Sequence, residues 1–123
     1  MNNLGMRKIK VLILEDSHER RNIFRNKLSK DCELYFYDQV EDAKKAIDSL
    51  GPFEIIFLDH DLDHRIYVDS DEKNTGYQLA KYIAEKNLDV RVIIHTMNHY
   101  GAARMLEVLP QAEHREFPDL FPF

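Results

Sequence analysis

Phe53-Glu54-Ile55-Ile56-Phe57-Leu58 is the most hydrophobic stretch of the chain, and it runs directly into Asp59-His60-Asp61. A second run, Val90-Arg91-Val92-Ile93-Ile94, ends in the same manner, at His95. Near-continuous apolar runs of this length mark strands buried on both faces, as in a parallel sheet covered by helices. Ligands of open α/β sheets bind beyond the carboxyl ends of such strands. Carboxylates and imidazoles gathered at two strand ends therefore point to a site, and these residue types suit a phosphate and a metal.

The flanking segments extend the pattern. Ile9 to Leu14 makes a first strand that runs into Glu15-Asp16. Ser17 is an N-cap residue type, and Ile23, Phe24 and Leu28 face inward from a helix reaching about Ser29. Cys32 to Tyr37 alternates as an edge strand. Asp38 with Glu41 three positions on has the form of a capping box. The helix that follows aligns Val40, Ala43, Ile47 and Leu50 and stops at Gly51-Pro52. The third strand spans Phe53 to Asp59, and a polar stretch without periodicity, Asp63 to Asn74, comes next. A loop of this length inside a compact domain is often functional, for instance as a lid. Thr75-Gly76 opens a helix with Leu79, Tyr82, Ile83 and Lys86 on one stripe, and Val90 to His95 forms the fourth strand. Asn98 caps a helix carrying Ala102, Met105, Leu106 and Leu109 on one face, and Pro110 ends it. A fifth strand falls near Ala112 to Phe117, leaving a tail too short for a full closing helix. Strands alternating with helices over short connections predict a parallel sheet between two helical layers.

With 123 residues, 44% hydrophobic and 32% charged, the chain reads as one domain over 1–123 with a single core. No apolar stretch approaches the roughly 20 residues that cross a bilayer, and Met1 to Lys10 has no apolar core of a signal peptide. One cysteine, Cys32, allows no internal disulfide, so a cytoplasmic protein is expected. Net charge is −5, and the cations of one helix, Arg20, Arg21, Arg25, Lys27 and Lys30, read as a solvated face. That balance argues against an extended duplex and leaves room for a nucleotide or a short RNA end. The apolar Leu120-Phe121-Pro122-Phe123 covers the sheet within the monomer or docks on a second copy in a homodimer.

The order of elements resembles a response-regulator receiver domain over nearly the whole chain. The acidic pair Glu15-Asp16 follows the first strand, Asp59 ends the third, and Thr96 follows the fourth. This resemblance implies a flavodoxin-like three-layer sandwich with five parallel strands in the order 2-1-3-4-5, from which this chain departs by a truncated last helix. It also implies Mg²⁺ or Mn²⁺ held by Glu15, Asp16 and Asp59. Receivers end the fifth strand with a lysine before a proline, where this chain has Phe117-Pro118, so that cation is missing. A narrower resemblance covers the departures. Leu58 to Leu62 (LDHDL), Thr75 to Tyr77 (TGY) and Ile94 to Met105 (IHTMNHYGAARM) are similar to the cyclic-phosphate processing receiver domains. There the third-strand and fourth-strand segments take over the active site, matched here by Asp59, His60, Asp61, His95, Thr96, Asn98, Gly101 and Met105. The activity assigned to that branch is processing of cyclic phosphate ends in RNA repair settings.

Opening a 2′,3′-cyclic phosphate needs a base for water and an acid for the departing oxygen. An unperturbed imidazole, titrating near pH 6.5, can take either part. On neighbouring strands roughly 4.8 Å apart, His60 and His95 are expected to flank one phosphorus, with Asp61 orienting an imidazole or capping the loop backbone. A metal on Asp16 and Asp59, with Glu15, would neutralise the nonbridging oxygens. The family resemblance sets Thr75, Gly76, Thr96 and Asn98 at the substrate, and Asn98 is equally an N-cap. Alternation along a strand puts His60 on the face opposite Asp59 and Asp61, so the full constellation requires a bend at His60. Without one, the carboxylates serve the metal and the histidines the substrate. Among the remaining polar residues, His64 and Arg65 are best placed to touch substrate, and Tyr77 and Tyr100 read as packing residues or base-stacking rings. The competing function is signalling, as an atypical receiver phosphorylated on Asp59 or a pseudo-receiver that binds a partner.

Overall fold

The structure is a computed structural model, and it describes residues 8–121. Five strands, β1 (Ile9–Leu14), β2 (Cys32–Tyr37), β3 (Ile55–Leu58), β4 (Arg91–Ile94) and β5 (Glu113–His114), form one parallel sheet in the order β2-β1-β3-β4-β5. Helices α1 (His18–Leu28), α2 (Val40–Leu50), α3 (Gly76–Glu85) and α4 (His99–Val108) alternate with them, as the patterning predicts.

Alternation along the strands divides the core in two. Leu12, Leu14, Ile56, Leu58, Val92 and Ile94 face α2, α3 and α4, meeting Ala43, Leu79, Ile83, Ala102 and Met105. Val11, Ile13, Phe57 and Ile93 face the other way, onto Phe24 of α1 and Leu120. Among the described residues no full helix follows β5. A single 3-10 turn at Phe117–Asp119 closes the described chain, and it suffices because Leu120 is fully buried and the Phe117 and Phe121 rings pack edge-on against Phe24. The described part of the apolar tail thus covers its own sheet; Pro122 and Phe123 lie outside the described residues.

Three local expectations are corrected. Asp38 and Glu41 make no capping box: the residue before α2 is Gln39, without a side-chain cap bond. The Val40 N–H donates instead to Asn74 Oδ1 at 2.7 Å, from the far end of the long loop. Leu50 is 41% exposed and Ala46 is buried in its place, because the helix rotates its Val40-Ala43-Ala46 stripe inward. The fifth strand shrinks to two residues, paired with Ile93 and Ile94. Ser17 and Asn98 do cap α1 and α4, accepting from Arg20 N at 3.3 Å and Gly101 N at 2.9 Å.

Phe24 touches Phe36, Phe57, Phe117, Phe121 and the His95 ring, so it ties α1, the sheet and the C-terminal turn together. Phe24→Ala is expected to cost about 3–5 kcal/mol in urea-induced unfolding. A loss below about 1 kcal/mol would show that the tail does not depend on this ring.

Candidate functional site

Strand register builds the site. Ile13, Phe57 and Ile93 pair across β1, β3 and β4 on the α1 side of the sheet. Two residues further along each strand, the same face presents Glu15, Asp59 and His95. Pairing continues past the strands, with Asp59 N donating to Leu14 O at 3.1 Å and His95 N to Leu58 O at 2.9 Å. One atom from each of the three side chains lies within 4.8 Å of the other two, and all three residues are buried. His95 Nε2 donates to Glu15 Oε1 at 2.9 Å, while Ser17 N donates to Glu15 Oε2 at 3.0 Å. Phe24, Phe57 and Phe117 surround the imidazole, and its Nδ1 has no hydrogen-bond partner among the described residues.

The charges divide unequally. Burial pushes the Glu15 carboxyl up, but the His95 hydrogen bond and charge, the Ser17 N–H and Arg20 outweigh it and hold it below the ordinary range. Asp59 goes the other way: burial, reinforced by Glu15, pushes its carboxyl up to about 7 against the opposing pull of His95 and Arg20. A buried carboxylate beside another carboxylate is a destabilised anion, and a cation between them relieves it. The oxygens of Glu15 and Asp59 fit Mg²⁺ or Mn²⁺. Ligation through His95 Nε2 would move the ring proton to Nδ1 inside the phenyl cage, where no acceptor waits. His95 therefore suits the role of donor that fixes Glu15. Asp16 stands at the mouth, its Oδ2 accepting from His64 N at 2.6 Å.

An open cleft of about 510 Å³ leads to this row, lined by Glu15, Asp16, Asp59, Asp61, Thr96 and Asn98 from the sheet and by His64, Arg65, Ile66 and Tyr67 from the loop. Arg20 closes one wall. Its Nη1 lies 3.7 Å from Asp59 Oδ2 and 3.8 Å from Glu15 Oε1, and its guanidinium stacks 5.0 Å above the Phe117 ring.

Residues 10–111 match the cyclic-phosphate processing receiver domain. The chain belongs to that family. Among solved structures it is similar to the signal receiver domain of an HD domain-containing protein from Pseudomonas fluorescens, at 14% identity and a TM-score of 0.72, covering 91% of this chain and 84% of that one. The response regulator TrrA from Thermotoga maritima, solved in complex with Mg²⁺-BeF, gives 20% identity and a TM-score of 0.66, covering 88% and 84%. The Francisella response regulator 1452 receiver domain gives 16% and 0.68, covering 91% and 86%. These likenesses show a receiver fold. No curated protein matches the chain. None of the described helices is long and apolar enough to cross a membrane.

Within this receiver domain, the two expected catalytic histidines do not meet. The strand keeps its alternation through residue 60, so His60 points to the α4 side, away from the Glu15-Asp59-His95 row. Its ring is fully buried, and a Cβ on Gly101 would lie 2.4 Å from Cγ of that ring. Nδ1–H donates to Asp61 Oδ1 and Nε2 accepts from the Ser70 hydroxyl, both at 2.8 Å. Asp61 also accepts from Asn98 Nδ2 (3.0 Å), Tyr67 N (2.7 Å) and Val68 N (3.1 Å). Burial pushes the Asp61 carboxyl up, but these donors, led by His60 and Asn98, win and hold it below the ordinary range. Asp61 thus orients an imidazole and caps the loop at once, and His60 is a support under it.

Thr75 and Gly76 are also corrected as substrate contacts. Both are buried, the Thr75 hydroxyl donates to loop carbonyls, and a Cβ on Gly76 would fall 1.8 Å from the Asp59 carbonyl oxygen. They close the loop against the end of β3. Thr96 and Asn98 do line the cleft, though Thr96 Oγ1 already accepts from Asn98 N at 3.1 Å. Arg20 and Ser70 carried no sequence signal. Arg20 sat among five cations on one helix, and Ser70 sat in an aperiodic loop.

The Asp59 shift fixes a pH dependence. Between its ordinary value and about 7, the folded metal-free protein holds a proton that the unfolded chain has released, so stability falls as pH rises through that window. Asp59→Asn removes the term. At pH 8 without metal the variant should be the more stable, by on the order of 2 kcal/mol, and the gap should close near pH 4. Parallel thermal-melting curves for the two proteins across pH 4–8 would contradict it.

Proposed function

We propose that this receiver domain opens cyclic phosphate ends of nucleotides or RNA by metal-assisted hydrolysis. The observation that carries the reading is the buried carboxylate pair, Glu15 and Asp59, of which Asp59 is the destabilised anion, at the floor of a cleft whose loop wall offers an imidazole and a guanidinium. A divalent cation bound there would act as a Lewis acid on the phosphate oxygens. Glu15 and Asp59 would hold it, with Asp16 at the mouth and His95 keeping Glu15 oriented.

His64 takes the proton-transfer role expected of His60. It lines the cleft, its side chain is 81% exposed, and its backbone is fastened to Asp16. His64 can accept the proton of an attacking water or return one to the leaving ribose oxygen. Arg65 on the same wall and Arg20 opposite it attract the phosphate.

A specific observation also favours the signalling alternative. Receivers take a cation from a lysine at the end of the fifth strand, and here Arg20, stacked on Phe117, reaches Asp59 from α1. Asp59 could then accept a phosphoryl group.

³¹P NMR of the protein with a 2′,3′-cyclic nucleotide and Mn²⁺ or Mg²⁺ separates the two. Hydrolysis predicts conversion of the ring phosphorus to a monoester, loss of turnover in Asp59→Asn, and a reduction of about a hundredfold in His64→Gln. No conversion, together with an acyl-phosphate signal on Asp59 after treatment with acetyl phosphate, would replace hydrolysis by signalling.

A further inference from the structure

Scattered exposed apolar side chains need no explanation, but a group of them at one cleft does. Ile66, Tyr67, Met97 and Tyr100 are all exposed, Tyr67 at 75% and Tyr100 at 82%. Ile66, Tyr67 and Met97 line the carboxylate cleft. Tyr67 and Tyr100 line an adjoining hollow of about 380 Å³ together with Val68, Ser70 and Arg104. Tyr67 and the buried Asn98 line both spaces, and of the two only the Tyr67 ring is exposed.

The backbone holds this ring out at a cost. Tyr67 has φ of 54°, in the left-handed region where bulky residues are rare and strained. Bonds from Tyr67 N and Val68 N to the Asp61 carboxylate keep it there. Burying the ring would recover apolar area, yet the fold fixes it in solvent beside the cleft. Each space also holds an arginine within an ion pair: Arg65, paired with Glu72, lines the cleft, and Arg104, paired with Asp71, lines the hollow. An aromatic face next to the cleft proposed to take a phosphate on a metal matches the two halves of a nucleotide, because every base has a π-face and stacks without regard to sequence.

We infer that Tyr67 and Tyr100 form a nucleobase platform, so that the ligand class is a nucleotide or the terminal nucleotide of a single-stranded RNA, its base on these rings and its phosphate in the carboxylate cleft. The inference rests on the proposed phosphate-ester reading of that cleft. It adds a requirement for a base, which a base-free cyclic phosphate cannot meet.

Binding tests it separately from turnover. Isothermal titration with 3′-AMP in the presence of Mn²⁺ should show tighter binding than with glycerol phosphate. Tyr67→Ala and Tyr100→Ala should each weaken 3′-AMP binding by roughly 5- to 150-fold, while Tyr67→Phe and Tyr100→Phe bind like the parent. Both rings are exposed, and circular dichroism checks that the variants fold. Equal affinity for 3′-AMP and glycerol phosphate, or no effect of either alanine, overturns the platform even if cyclic phosphates are hydrolysed. Tyrosine-dependent 3′-AMP binding by a protein that hydrolyses nothing sustains the platform and discards the hydrolase. A dimer in sedimentation velocity that Tyr67→Ala dissociates would assign the rings to a second copy instead and overturn the inference.

Discussion

Three ionisable side chains on three neighbouring strands share one buried row, and the rest of the site is arranged around their mutual cost. Glu15, Asp59 and His95 are 0%, 4% and 0% exposed, so the anions have lost most of their water. Only part of that loss is returned by the His95 N–H, the Ser17 N–H and the nearby Arg20. The remainder appears as the proton that Asp59 retains. A bound cation between the two carboxylates is the kind of partner that would offset such a cost.

Asp61 has the opposite character. It is a carboxylate with its acceptor positions filled, by an imidazole, an amide and two backbone N–H groups. The DHD tripeptide thus spends its three side chains on three different tasks. Asp59 faces the cleft floor, His60 fills the space beneath Gly101, and Asp61 fastens the loop. Period-two alternation carried through the end of β3 is sufficient to separate the first two.

Much of this was legible in the chain. The apolar runs 53–58 and 90–94 located the central strands, and the charged residues following them located the cleft. Ser17 and Asn98 announced their caps, since each needs only its own neighbours. Features that depend on distant atoms were hidden. Asn74 supplies the α2 cap that the sequence predicts of Asp38 and Glu41, Arg20 reaches the aspartate from a helix whose cations read as a solvated face, and Ser70 completes His60 from ten residues away. The pairing of His60 with His95 failed because adjacency of strands says nothing about faces. Alternation along the third strand separated His60 from Asp59, but only the register of β3 against β4 sets His95 on the Asp59 face.

The Asn74–Val40 bond gives the long loop a place in the order of assembly. Helix α2 begins without a side-chain cap of its own, so its first turn is finished by an atom 34 residues downstream. Gln39 and Asn74 both bond Asp63 nearby, which joins the start of α2 and both ends of the loop in one small network. The start of α2 and the cleft wall are thereby tied by one hydrogen-bonded network, so local opening of the loop is expected to release the Val40 amide. Hydrogen exchange at the Val40 amide would thus report on a cleft that Val40 never touches.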